Sequence, residues 1–257
     1  MKFHAPLSLL GACVATVQAY AVRAIPPTLY IAGDSTAAKD DGNLALLGWG
    51  EKIGQYLSIP IVNNAISGAT TRSFTEGGNF TDIASAVKPG DIVIIEFGHN
   101  DNSTFSENPT TGDCPGDDLT TTCNYNGTTV YTYKRYLQDA VDLLRSRHAR
   151  VIVASQTPDN PFAIFTIPVY VQYAADIAIA NHLPYIDHFR LLLVTYYALG
   201  ADKTNDLYPL DQHVHTSPEG ADYVAQAVAK SALCDSTSPL KPFVTNTTVL
   251  PSYCVTG

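Results

Sequence analysis

Five short apolar runs, separated by stretches of a different periodicity, constrain this chain more than any other feature. Residues 28–32 (TLYIA), 60–66 (PIVNNAI), 91–97 (DIVIIEF), 150–155 (RVIVAS) and 183–187 (LPYID) carry few charges, and several are rich in Val and Ile. Strands buried on both faces read this way. Between them the repeat changes. Trp49, Ile53, Tyr56 and Leu57 recur at helical spacing, and Tyr133, Tyr136, Leu137, Ala140, Val141 and Leu144 trace one continuous helical face. A third helix is predicted over 169–181. A last one runs from about Pro218 to Leu233, entered by Ser217 as N-cap before Pro218 or by Thr216 and Glu219 as a capping box. Strand and helix in alternation predict an α/β fold, a three-layer α/β/α domain around a central, mainly five-stranded parallel sheet. Residues 102–130 read as a long polar insertion, and the tail after Cys234 as irregular but stapled.

With 46% hydrophobic and 15% charged residues among 257, the chain is neither disordered nor fibrous. No linker rich in Pro, Gly or Ser divides it, so one domain is expected. The net charge of −9, from 15 basic and 24 acidic residues, repels duplex nucleic acid and anionic membrane surfaces, and neither is an expected partner. Residues 1–19 have a positive start at Lys2, an uncharged and mostly apolar stretch, and small residues at Val17-Gln18-Ala19. They read as a signal peptide, with 20–257 as the mature domain and the extracellular space as its location. No later run reaches the roughly 18 apolar residues of a membrane anchor.

Removing Cys13 with that segment leaves Cys114, Cys123, Cys234 and Cys254. Four cysteines allow three pairings. Nearness in sequence favours Cys114–Cys123 and Cys234–Cys254, with free thiols or a metal site as alternatives. Sequons at Asn79, Asn102, Asn126 and Asn246 fit an exported glycoprotein.

Chemistry gathers at the carboxyl ends of parallel strands. Gly33-Asp34-Ser35-Thr36 follows the first run, Ser67-Gly68-Ala69-Thr70 the second and Gly98-His99-Asn100-Asp101 the third. Asp211-Gln212-His213-Val214-His215 precedes the last helix. Each alone is compatible with a plain turn. In this order they supply a nucleophile, oxyanion donors and an acid–base pair.

That order resembles the SGNH (GDSL-type) hydrolases, and the chain is most similar to the secreted fungal rhamnogalacturonan acetylesterases. The matches are IAGDSTAAK at 31–39, GWGEKI at 48–53, GATTRSF at 68–74, IIEFGHND at 94–101, SQTPDNP at 155–161 and HTSPEGA at 215–221. The resemblance implies a flavodoxin-like SGNH fold with the two short-range disulfides. It implies Ser35 as nucleophile, His215 as general base and Asp211 as triad acid. The backbone N–H groups of Ser35 and Gly68, with the Asn100 amide, would form the oxyanion hole. Asp211 stands four residues before His215, where the family has Asp-x-x-His, so Asp206 is an alternative acid.

The implied activity is removal of acetyl groups from plant cell-wall polysaccharide through an acetyl-enzyme, the partner being the acetylated polymer. No cofactor and no metal are expected, and the chain is expected to be monomeric. Because the chain is itself acidic, a pectic polyanion would need a local cation, for which Arg72 is the nearest in sequence to the Gly68 loop. Three other readings compete: an esterase on acetylated xylan or small esters, a metal hydrolase using His213 and His215 with Asp187 or His188, and a non-catalytic carbohydrate-binding domain.

Overall fold

A computed structural model describes the chain except residues 2–24, 40–41, 43–44, 102–104, 107, 211 and 256–257. The expected signal peptide and the sequon at Asn102 therefore lie outside the described residues. Five strands form the expected parallel sheet: β1 (Leu29–Gly33), β2 (Ile61–Asn63), β3 (Ile92–Glu96), β6 (Arg150–Ala154) and β7 (Tyr185–Ile186), in the order β2-β1-β3-β6-β7. Between β3 and β6 the chain inserts an antiparallel hairpin of β4 (Thr122–Tyr125) and β5 (Thr128–Tyr131). Its tight turn is Asn126-Gly127, both at positive φ (49° and 83°), the backbone that two-residue hairpin loops require.

Seven helices are described: α1 (Thr71–Glu76), α2 (Asn79–Ala86), α3 (Tyr133–Ser146), α4 (Val169–Ala180), α5 (His188–Leu199), α6 (Ala201–Asp206) and α7 (Pro218–Cys234). Ser217 caps α7 by accepting from the Gly220 N–H, ahead of Pro218. Where a helix is expected around Trp49–Leu57 there are instead two short 3₁₀ turns, Trp49–Glu51 and Ile53–Gln55. The N–H groups of Trp49 and Gly50 are held by the carbonyls of Thr36 and Ala37, in the turn after β1. This tether stops an α-helix from propagating, while the helical spacing still buries Trp49 and Ile53 completely.

Successive strand residues point to opposite faces, so the sheet carries two cores. Leu29, Ile31, Ile92, Ile94 and Ile152 pack with Trp49, α5 and α7. Tyr30, Ala32, Val93, Ile95, Val151 and Val153 pack with α2, α3 and α4. Both expected disulfides are present, Cys114–Cys123 closing the insertion and Cys234–Cys254 fastening the tail to the end of α7. Because β2 and β3 lie on opposite sides of β1, the order reverses there, and the crevice beyond the carboxyl ends of β1 and β3 is where this fold places a ligand.

Directly beneath that crevice sits a buried polar knot. The last residue of β3, Glu96, accepts from Trp49 Nε1 at 2.8 Å and from His188 Nδ1 at 2.6 Å, while His188 Nε2 donates to the Val224 carbonyl at 2.9 Å. Both imidazole nitrogens face acceptors, so the ring carries two protons. Burial alone would lower the His188 pKa, but the Glu96 charge and hydrogen bond, with the Val224 carbonyl, outweigh it and hold the pKa above its ordinary value. The knot ties β3, α5, α7 and the Trp49 turn together.

Glu96→Leu should leave two buried donors unpaired and lower stability by about 3–5 kcal/mol in urea denaturation. The His188 contribution is complete below an unfolded-state pKa near 6.5 and is lost as pH rises through the raised folded value. Wild-type stability should therefore fall on the alkaline side of about pH 6.5, and His188→Gln should lessen that fall even though the variant is less stable overall.

Candidate active site

Beyond β1 the chain turns sharply at Asp34. Its buried carboxylate accepts from the Thr36 N–H at 2.9 Å and the Thr36 hydroxyl at 2.8 Å, and its carbonyl accepts from the N–H groups of Ala37 and Ala38. This self-bonded turn places Ser35 at its apex, half-exposed. Burial raises the Asp34 pKa, partly offset by the His99 charge and the Thr36 hydrogen bonds.

Facing Ser35 is a residue 180 positions away. His215 Nε2 lies 2.9 Å from Ser35 Oγ, and His215 Nδ1 lies 2.6 Å from Gln212 Oε1. The loop that carries His215 is pinned by its own backbone. The His213 carbonyl accepts from Asn160 N–H, the Thr216 carbonyl from Leu47 N–H, and Ser217 N–H donates to the Leu207 carbonyl. Asp211, the expected triad acid, lies outside the described residues. Asp206, its alternative, ends α6 on the exposed surface.

Gly68 and Asn100 close the other side. Gly68 has φ +78°, a left-handed backbone that side chains rarely adopt, although open space surrounds it. Asn100 Nδ2 donates to the Ala69 carbonyl at 2.9 Å, which spends one amide hydrogen and leaves the other to point elsewhere. Among the described residues, no acceptor takes the backbone N–H of Ser35 or Gly68. Gly98, at φ +147°, lets the third loop pass Gln156, whose Oε1 would sit 2.3 Å from an added Cβ.

Next to Asn100, Asp101 is fully buried and accepts from the N–H and hydroxyl of Thr71, at 2.8 and 2.7 Å. The Tyr170 hydroxyl donates to its carbonyl. Asp113, from the insertion, is buried beside Asp101, its Oδ2 3.2 Å from the same Thr71 hydroxyl, and Asp101 Oδ2 and Asp113 Oδ1 have no hydrogen-bond partner among the described residues. Burial, reinforced by the Asp101 charge, holds the Asp113 pKa well above the usual carboxylate range, and burial also raises that of Asp101. The pair therefore retains a proton that an isolated carboxylate would lose.

Two cavities of about 310 and 320 Å³ meet at Ser35, Asn100 and His215. Lys39 and Gly68 line the first, and His99, Asp159 and His213 the second. Arg72 reaches neither. It is 2% exposed, its Nε bonds Glu76 at 2.9 Å, and its Nη1 donates to the carbonyls of Pro109 and Gly112. The expectation that it meets substrate is corrected: three of its N–H donors are spent inside the protein, one on Glu76 of its own helix and two holding the insertion on α1. Likewise His188, with both nitrogens engaged in the buried knot, has no lone pair to share in a metal set with His213 and His215.

A family model described as "GDSL-like Lipase/Acylhydrolase family" matches residues 31–223. The chain is 40% identical over 218 residues to a rhamnogalacturonan acetylesterase of Emericella nidulans, covering 82% of this chain and 86% of that one. It is 27% identical to the rhamnogalacturonan acetylesterase RhgT of Bacillus subtilis, covering 80% and 89%. Among solved structures, the YxiM protein of Bacillus subtilis superposes with a TM-score of 0.67 at 19% identity over 83% of this chain, which spans 58% of that longer protein. The acetylxylan esterase Axe2 of Geobacillus stearothermophilus superposes with a TM-score of 0.54, also at 19% identity, covering 81% and 93%. The chain belongs to the GDSL-like lipase/acylhydrolase family.

Proposed function

We propose that this chain is a secreted serine esterase that removes O-acetyl groups from plant cell-wall polysaccharide, with the acetylated galacturonic acid residues of rhamnogalacturonan as its substrate. The observation that carries the reading is the 2.9 Å contact between Ser35 Oγ and His215 Nε2, beside the N–H groups of Ser35 and Gly68 and the Asn100 amide. The 40% identical Emericella nidulans acetylesterase supports the polymer.

In this reading His215 Nε2 takes the hydroxyl proton as Ser35 Oγ attacks the acetyl carbonyl carbon. The carbonyl oxygen, now negative, is met by the two backbone N–H groups and the Asn100 Nδ2 hydrogen not used on Ala69. Collapse of the tetrahedral adduct expels the sugar oxygen, which receives the proton from His215. Water then repeats the sequence on the acetyl-serine, releasing acetate and restoring Ser35. Asp211 keeps its expected role as the acid behind His215.

Recognition of an acidic polymer needs a positive group near the nucleophile, and Lys39 is the one cationic side chain among the described residues lining the two cavities. It is exposed, at the rim of the cavity that also holds Gly68. Secretion rests on residues 1–19. No helix among the described residues is long and apolar enough to cross a membrane.

Acetate release from acetylated rhamnogalacturonan tests the chemistry. Ser35→Ala should lose at least about 10⁴-fold in kcat, and Asn100→Ala roughly 10²–10³-fold with KM little changed. Full activity in folded Ser35→Ala would exclude the serine mechanism, and release from acetylated xylan alone would reassign the substrate. For Lys39→Gln, the expected change is a roughly two- to fivefold higher KM on the acidic polymer at low salt, the size of an exposed ion pair. On a small neutral acetyl ester its KM should stay at the wild-type value. Equal changes on both substrates would remove Lys39 from the recognition of charge.

A further inference from the structure

Two cavities meet at Ser35, and the acetyl chemistry accounts for the side that holds Gly68. The other, of about 320 Å³, extends past His99, Gln156, Asp159 and His213, with Pro168 and Val214 as its apolar wall. An apolar wall carrying a few polar groups, at this size, is the usual make-up of a small-molecule site.

We propose that this second cavity seats a neutral sugar unit of the substrate, beside the unit that carries the acetyl group, with Asp159 as the residue that selects it. The inference rests on the reading of the chain as a polysaccharide acetylesterase and adds which kind of sugar lies next to the reacting one. Rhamnose, the neutral partner of galacturonic acid in the polymer proposed above, meets the description.

Three observations carry it. The first is the fixed aim of Asp159. Its backbone is held on both sides: the Pro158 carbonyl meets the Tyr208 hydroxyl at 3.4 Å, and the Asn160 N–H donates to the His213 carbonyl at 2.7 Å. Asn160 Nδ2 donates in turn to Asn205 Oδ1 at 2.8 Å, which ties the segment to α6. A carboxylate placed this firmly is oriented before a ligand arrives.

The second is open acceptor capacity. Among the described residues no hydrogen bond reaches the Asp159 carboxylate. His99 Nδ1 stands 3.7 Å from its Oδ1, beyond hydrogen-bond distance, and His99 Nε2 is engaged with Thr157 Oγ1 at 3.0 Å. The Asp159 side chain is 26% exposed, within reach of a ligand in the cavity. Gln156 adds a second acceptor to the same wall: it is 4% exposed, and its Oε1 has no donor among the described residues. Gly98 leaves it room, since a Cβ there would lie 2.3 Å from that oxygen. A sugar hydroxyl is the kind of donor that both side chains lack.

The third is charge. A carboxylate with no cation in hydrogen-bond contact repels a uronic carboxylate set against it, and it accepts from neutral hydroxyls without that penalty. The other titratable groups facing the cavity among the described residues are His99, His213 and His215. Assays at about pH 8, above the ordinary histidine range, therefore test the carboxylate itself.

The experiment measures acetate release from acetylated rhamnogalacturonan, acetylated xylan and a small acetyl ester, with and without about 0.5 M sodium chloride, enough to screen exposed charges. Wild type, Asp159→Asn, Asp159→Ala and Ser35→Ala are compared, each checked for folding by circular dichroism. On the polymer that wild type cleaves, Asp159→Ala should lower kcat/KM at least about tenfold relative to the small ester, mostly through KM, the size of one hydrogen bond to a charged group. Asp159→Asn should recover part of that loss, because an amide oxygen still accepts. Both losses should persist in salt, which does not screen a neutral partner. The inference is overturned if Asp159→Ala keeps the ratio of polymer to small ester within twofold of wild type. It is overturned equally if Asp159→Asn has a lower KM than wild type on acetylated rhamnogalacturonan at low salt, the sign of a uronic carboxylate facing Asp159. Equal losses on polymer and small ester overturn it too, since Asp159 would then act on the reacting centre. Failure of the underlying reading looks different: Ser35→Ala would remain active, or wild type would release acetate from neither polymer, and the sugar seat would fall with it.

Discussion

The Asp101 carboxyl group is the point on which the geometry of this site depends. One of its oxygens accepts both hydrogens that Thr71 offers, and the residue before it, Asn100, donates to the Ala69 carbonyl. Two loops from non-adjacent strands, one after β2 and one after β3, are thereby locked at a fixed separation. Both carry donors expected to meet the oxyanion. A donor gains catalytic value from being aimed before charge develops, and a buried carboxyl gripping a helix N-terminus beside Asn100 supplies that rigidity. The arrangement carries a cost, since a buried carboxylate must be hydrogen-bonded or neutralised. Burial itself holds the pKa values of Asp101 and of Asp113, packed against the same Thr71 hydroxyl, above the usual carboxylate range.

Asp113 comes from the insertion between β3 and α3, which gives this segment a purpose that polarity alone does not disclose. Cys114, the next residue, is joined to Cys123 at the start of the β4–β5 hairpin, and its N–H donates to the Tyr131 carbonyl. On the other side of Asp113, Arg72 grips the carbonyls of Pro109 and Gly112, and the Thr70 hydroxyl donates to the carbonyl of Thr111. The insertion is clamped to α1 at the very residues that follow Gly68. The Glu96–His188 knot does the same from below, linking the end of β3 to α5 and α7. The catalytic loops are thus braced from two directions by buried ionisable groups.

Much of this was legible in the sequence, and the parts that were not share a physical reason. The parallel sheet was readable because its runs are apolar on both faces and α3 and α7 because their periodicity and caps are strong. The Asn126-Gly127 pair was also a legible hairpin signal, hidden within a segment whose polar composition suggested a loop. Ser35, Gly68, Asn100 and His215 were recognisable by order along successive strand ends, and the structure brings Ser35, Asn100 and His215 around two adjoining cavities. Arg72 was picked out as the cation nearest in sequence to the Gly68 loop, and the structure buries it. Nothing in a string of residues shows that a guanidinium is enclosed by carbonyls contributed from forty positions downstream. Asp101 and Asp113 were missed for the same reason: their meaning lies in a contact between them that only the folded insertion creates.

Register explains the remaining difference around His215. The loop before α7 is anchored at His213, Thr216 and Ser217 by backbone bonds to three separate parts of the fold. An added residue in such a loop cannot be absorbed after His215, where the helix cap is fixed, so it is absorbed before it. The position three residues upstream of His215 is then filled by Gln212, whose Oε1 lies 2.6 Å from His215 Nδ1. An amide oxygen is an acceptor of the kind Nδ1–H requires. The backbone bonds of this loop therefore determine which side chains are brought to the two nitrogens of the imidazole.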